Sequence, residues 1–445
     1  MANWILPTEV ASWITHLGCL LHATNAWRLR PLVVGMLFAR GRRTVSSWLR
    51  AGELSDDYQS YYYFLGSLGC KVKWLAALLL QSVLRVVNPG ERFLFAIDDT
   101  PTKRYGPHVE GAGIHHNPTP GPADQKYLYG HVWVTLSLVV RHALWGAIGL
   151  PLLAYLYVRQ VNLKSIPASY GVKFQTKLEQ AAALVEWLAL GLKNSGKRLW
   201  LVADGAYAKK PFLKRATKVG ATVVSRLRKD AALCSVPKPV PAGQRKRGRP
   251  RKYGAERISL AKRAGHPRGW ERGTFTLYNK ETLVCYKTFL ATYKPASGLI
   301  RVVIVREDDG AWRGYFCTDA NATVAEILEA VADRSAIEQN YHDLKEVHGA
   351  GQQQLRNYWA NIAAWHLTMW LHTLIELWAW NKPHKEVVDR SASPWDDAER
   401  RPSHADRRNA LRRSCLEQEY QREAAAAGFD RKTRRLWTRM LKLAA

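Results

Sequence analysis

Three apolar runs crowd into residues 92–158: RFLFAIDDT, LYGHVWVTLSLVVRH and LWGAIGLPLLAYLYV. Any fold for this chain has to be built around them. Their β-branched and aromatic content and the breaks between them fit successive strands. Residues 132–158 are the most apolar part, but Arg141 and His142 interrupt them, so they read as buried strands and not as a membrane span. A helical pattern follows in FQTKLEQAAALVEWLALGLKNSG, then a fourth strand in RLWLVADGAY, then a helix and a last strand in ATVVSRLR. Strand, strand, strand, helix, strand, helix is a mixed α/β order.

The flanks differ from this centre. Residues 1–90 have apolar positions at helical spacing and read as a helical, DNA-binding domain. Within it, GRRTVSSWLRAG offers a Thr or Ser cap and a short helix near Arg42, Arg43 and Arg50, either the recognition helix of a helix-turn-helix or a helical hairpin with a basic surface. Residues 91–225 hold the first part of the α/β core, and 226–315 break its rhythm with a basic Pro/Gly-rich loop and alternating runs that read as a strand-rich insertion. Helices return over 316–380, where the aromatic stripe WHLTMWLHTLIELWAW reads as core packing, and 381–445 form a basic tail expected to be partly disordered.

Charge narrows the choice of partner. Lysine and arginine total 66 against 37 acids, a formal net charge of +29, accompanied by 18 Trp and 19 Tyr that can stack on bases. A polyanion suits such a chain, and nucleic acid leads. In the basic loop, Arg247 and Arg249 belong to RGRP, which is like a minor-groove AT-hook; nonspecific phosphate contact is the simpler reading. The six scattered cysteines form no CxxC pair, and the start of the chain has no signal-peptide pattern, so a cytoplasmic, nucleoid-associated protein is expected. His108, His115 and His116 have no Cys or acid at zinc-ligand spacing.

Asp98 and Asp99 end one strand, Asp204 ends another, and Glu338 lies on a later helix. Acids at strand ends are ordinary, but strand C-terminal edges are also where ligands gather in α/β folds. Two strand-end carboxylates and a helix carboxylate can hold a pair of Mg²⁺ ions, with Mn²⁺ as a substitute, for displacement at a phosphodiester. At about 100° per residue, Arg334, Glu338 and Lys345 share a helix face, which fits either a solvated ion pair or a site where the cations grip phosphates.

FAIDDT, LVADGAY and the Arg-x3-Glu-x6-Lys of RSAIEQNYHDLK resemble, in order and strand context, the DDE transposases of bacterial insertion sequences, in the cut-and-paste group with a β-strand insertion before the last acid. The resemblance covers roughly residues 90–380 and implies a ribonuclease H-like catalytic core interrupted by that insertion. It implies Asp99, Asp204 and Glu338 as catalytic, metal-binding acids, with Asp98 as the alternative first acid, and Arg334 and Lys345 on the DNA backbone. It further implies binding of double-stranded DNA at terminal inverted repeats and target, cleavage with the second strand resolved through a hairpin, joining of the freed 3′ ends to target, and a homodimer in the synaptic complex. A transposase-derived DNA-binding protein without cleavage is the rival. The chain departs from the group's signature at Val331, where a tyrosine is expected, and at Ser335, where tryptophan is common.

Overall fold

The computed structural model describes residues 5–117, 125–238, 251–388, 390, 393, 395–397, 399–427, 433, 437 and 440. Five helices come first: α1 (Thr8–Gly18), α2 (Ala23–Phe38), α3 (Val45–Ala51), α4 (Tyr58–Gly69) and α5 (Val72–Val86). The centre comprises β1 (Arg92–Lys103), β2 (Gly113–His116), β3 (Tyr127–His142), β4 (Gly146–Tyr157), α6 (Lys177–Gly191), β5 (Arg198–Ala203), α7 (Lys210–Lys218) and β6 (Thr222–Leu227). Next come β7 (Leu233–Cys234), β8 (Arg257–Ile258), α8 (Leu260–Gly265), β9 (Glu271–Leu277), β10 (Lys280–Tyr293), β11 (Gly298–Arg306) and β12 (Trp312–Cys317). The chain closes with α9 (Val324–Asp333), α10 (Ser335–His342), α11 (Tyr358–Ala379), α12 (His384–Val387) and α13 (His404–Ala427).

The three apolar runs pair as an antiparallel meander, β4 on β3 and β3 on β1, and β5 and β6 then add in parallel to β1. The order β4-β3-β1-β5-β6, with three antiparallel strands followed by two parallel ones, is a ribonuclease H-like core. The insertion does not form a separate sheet. After β6 the chain runs out through β7 to β11 and returns as β12, which pairs antiparallel with β6, so insertion and core share one continuous sheet.

Helices cover both faces. α6 packs on β3 and β4 and against α7, while α10 packs over β1, β3 and β4. α6 and α9 each start on a capping box, Thr176 with Glu179 and Thr323 with Glu326, which satisfies amide groups that a helix start leaves open. α11 is buried around its whole circumference because β4 and the helices α4, α5 and α13 surround it. Its Trp365 stacks on Trp133 of β3 with centroids 4.9 Å apart. The aromatic stripe therefore does pack in the core.

The helices of residues 1–90 are docked on this core. Gly69 sits so close to α11 that a Cβ there would lie 2.0 Å from the Trp359 carbonyl oxygen. α2 and α3 cross as tightly, since a Cβ on Gly35 would meet the Trp48 oxygen at 2.1 Å. The C-terminal region holds a long helix, α13, whose Ala410, Leu411 and Cys415 are buried. Its arginines have a use there: Arg408 donates to the carbonyl oxygens of Leu37 (3.2 Å) and Ala39 (3.3 Å), closing the end of α2. Among the described residues, no single helix is long and apolar enough to cross a membrane.

Candidate active site

β1 and β5 run side by side in parallel, with Ile97 opposite Ala203, so Asp98 and Asp204 follow side by side where that pairing stops; Asp98 and Asp99 do not end β1, as their sequence suggested, because β1 continues against β3 to Lys103. Consecutive strand residues point to opposite faces. Asp98 therefore faces the α10 side and Asp99 the α6 side, and their partners differ accordingly. The Asp98 carboxylate meets Arg334 at 3.0 Å, and Arg334 also reaches Glu338 at 2.5 Å, so one guanidinium joins the strand acid to the helix acid. Asp99 instead takes a 2.6 Å ion pair from Lys177 of α6 and a 2.7 Å hydrogen bond from the Tyr207 hydroxyl.

Asp204 begins a turn at Gly205–Tyr207, and its side chain accepts from the Ala206 amide at 3.3 Å. Its backbone oxygen accepts from Ser225 of β6, which ties the two strand ends together. Tyr341, buried one turn beyond Glu338, donates its hydroxyl to the Asp98 backbone oxygen at 2.7 Å and fixes the height of α10 over β1. Glu338 stays at the rim, with its side chain 56% exposed.

Electrostatics single out the same group. Burial pushes the Asp98 carboxyl up to about 6, against the pull of Arg334, and the negative charges of Asp99 and Asp204 push in the same direction as burial. For Arg334, burial works to lower the pKa, but Asp98, Glu338 and Asp204 outweigh it and hold the guanidinium above its ordinary value. Burial raises the Tyr341 and Tyr207 hydroxyls well above 10, so both are protonated donors at neutral pH.

The remaining candidates fall elsewhere. The helix that bears Arg334 and Glu338 loosens into a π turn at Asp343–Val347, so Lys345 loses the phase that a uniform 100° step gives it. Lys345 is half-buried, and burial lowers its pKa. Arg42 is exposed and lines a cavity of about 230 Å³ with Arg104, Tyr105, His108 and Arg356. Arg43 packs its backbone on Gln352, whose side-chain oxygen accepts from the Arg43 amide at 2.8 Å, and Thr44 caps α3 beside it. Arg247 and Arg249 lie outside the described residues. Lys177, Tyr207 and Tyr341 were not among the candidate site residues; Tyr207 had a signal in its place three residues after Asp204 in LVADGAY, and Tyr341 in its place three residues after Glu338 on the same side of the helix.

Strand order thus defines an α/β protein with a ribonuclease H-like core that carries an acid within β1 and another directly after β5, side by side. The chain belongs to the DDE superfamily endonuclease family, whose sequence model matches residues 16–282. That match includes Asp98, Asp99 and Asp204 and ends before Arg334 and Glu338. Comparison with curated proteins returns no match. Among solved structures, the chain is similar to that of piggyBac transposase in a cryo-EM synaptic complex with hairpin DNA, at 10% identity and a TM-score of 0.36 over 82% of this chain. It spans 61% of that longer chain.

Proposed function

We propose that the protein is a DNA transposase whose cleavage site is formed by Asp98, Asp204 and Glu338. The observation that carries this reading is that the Arg334 guanidinium bridges Asp98 of β1 and Glu338 of α10, while Asp204, directly after β5, lies near enough for its charge to help hold Arg334 above its ordinary pKa. Family membership supports nuclease chemistry, and the charge of +29 supports a DNA partner. Asp98 takes the place that the resemblance gives to Asp99, because strand alternation turns Asp99 to the other face, where Lys177 and Tyr207 engage it.

The donor set suits Mg²⁺ or Mn²⁺: all three side chains offer hard carboxylate oxygens, and a cationic group already stands among them in Arg334. Divalent ions bound there supply Lewis acidity to the oxygens of a scissile phosphodiester. The chain's own residues do the positioning. Tyr341 holds α10 over β1 at Asp98, and the Asp204–Ser225 contact ties the end of β5 to β6. Asp99, clamped by Lys177 and Tyr207, fixes the backbone of β1 next to Asp98 and acts as a positioning residue. Arg334 presents a planar fork matched to phosphate oxygens at the same spot.

In this reading the substrates are terminal inverted repeats and target DNA, the synaptic species is a homodimer, and the protein works at the nucleoid. The test is cleavage of a labelled terminal fragment with Mg²⁺. Glu338→Gln should bind the fragment and fail to cut it. Cleavage by that variant at the rate of the unmodified protein would overturn the assignment.

A further inference from the structure

Where the turn after α10 meets α11 and α13, a second polar cluster is buried. Asp343, in the π turn, His372 of α11 and His404 of α13 are 6%, 1% and 3% exposed. One donor atom from each lies within 4.8 Å of the others. We propose that these three side chains hold one divalent transition-metal ion of the zinc class, which pins the turn after α10 to α11 and α13.

The surroundings are arranged as they are around a ligand set. His404 Nδ1 faces Glu376 Oε1 at 2.5 Å, and Arg407 Nε secures that carboxylate, 2.8 Å from Oε2 and 3.0 Å from Oε1. A carboxylate on Nδ1 fixes the tautomer whose Nε2 carries a lone pair, as partners of metal-bound histidines commonly do. Asp343 Oδ1 accepts from Gln339 at 2.9 Å, which leaves Oδ2 directed at His372, whose Nε2 is 3.5 Å away. Neither ring nitrogen of His372 makes a hydrogen bond, although the ring is buried. An unmet buried polar atom is costly, and a metal bond removes the cost.

His348, at the end of the same turn, is hydrogen-bonded to His404, Nε2 to Nε2 at 2.7 Å, and an ion on His404 Nε2 would displace that contact. Tetrahedral zinc takes Zn–N near 2.0–2.1 Å, so the donors, which lie within 4.8 Å of one another, would draw together and the stacked His372 and His404 rings, 3.9 Å between centroids, would splay to bind it. Imidazole nitrogens select Zn²⁺, Co²⁺ or Ni²⁺ over Mg²⁺. A cavity of about 620 Å³ lined by Asp343, His372, Glu376 and His404 opens a way in for the ion. The His-rich loop of 108–116 takes no part; these ligands are separated in sequence and meet only in the fold.

The full-length protein, stripped with chelator and titrated with Co²⁺, should develop the visible d–d absorption of a tetrahedral site. The same protein repleted with Zn²⁺ should keep a stoichiometric amount through gel filtration and melt at a higher temperature. His372→Ala and, independently, Asp343→Asn should lose the Co²⁺ signal, and Asp204→Asn should keep it. No absorption and no zinc retention by the unmodified protein would overturn the proposal. So would loss of the signal in Asp204→Asn with retention in His372→Ala, which would place the ion at the proposed cleavage site instead.

Discussion

Replacing Asp98 with asparagine should stabilise the metal-free protein even as it removes cleavage. The Asp98 carboxyl ionises at about 6 in the fold against 3.8 in its ordinary state. A raised acid is penalised as an anion: at pH values below 3.8 both folded and unfolded forms are protonated and there is no penalty. The penalty grows as pH rises through the window from 3.8 to about 6 and is complete above it. That window is roughly two pH units wide, and at about 1.36 kcal/mol for each the penalty reaches about 3 kcal/mol at neutral pH, an upper figure for the gain from Asp98→Asn. Thermal unfolding in chelator should show the variant melting several degrees above the unmodified protein at pH 7.5, with the two curves converging near pH 4. A variant less stable than the unmodified protein at neutral pH would refute the reasoning, because Asp98 would then be stabilised by Arg334 and not strained by burial.

Three further outcomes follow from the same geometry. As pH falls through about 6, Asp98 gains a proton, so the Mg²⁺ concentration needed for half-maximal cleavage should climb steeply on the acid side; a flat metal requirement from pH 5 to 8 would be inconsistent with a carboxylate so placed. Gly69→Ala drives a Cβ to 2.0 Å from the Trp359 oxygen and should cost about 1–3 kcal/mol in denaturant unfolding, because α4 must move off α11. Tyr341→Phe removes the hydroxyl that holds the Asp98 carbonyl, and should lower the cleavage rate more than DNA affinity as measured by gel shift.

Much of this architecture was legible in the chain because strands and helices of opposite composition alternate. The runs RFLFAIDDT, LYGHVWVTLSLVVRH and LWGAIGLPLLAYLYV became β1, β3 and β4, and the insertion strands fell where alternation put them. The choice between Asp98 and Asp99 was not legible. Phe93 to Ile97 are all buried, so β1 is covered on both faces and its sequence carries no alternation from which to read which acid faces which side. Lys177 has no sequence feature that marks it, and its link to Asp99 exists only once β1 and α6 are brought together. The π turn at Asp343–Val347 has no composition of its own, which is why the helical phase assumed for Lys345 failed. The polar composition of residues 381–445 suggested a partly disordered tail; α13 lies within it, and its Arg407 and Arg408 are buried because Glu376 and the Leu37 and Ala39 carbonyls receive them. His372 was hidden in an aromatic stripe whose packing role was apparent and whose second role needed α13 alongside.

The central claim is that Asp98, and not its neighbour, is the strand acid of the cleavage site. The most direct measurement is single-turnover cleavage of a labelled terminal fragment in saturating Mg²⁺ by Asp98→Asn and Asp99→Asn, side by side. Loss of detectable cutting in Asp98→Asn with a slower but measurable rate in Asp99→Asn is the predicted result. Cutting by Asp98→Asn with none by Asp99→Asn would contradict it.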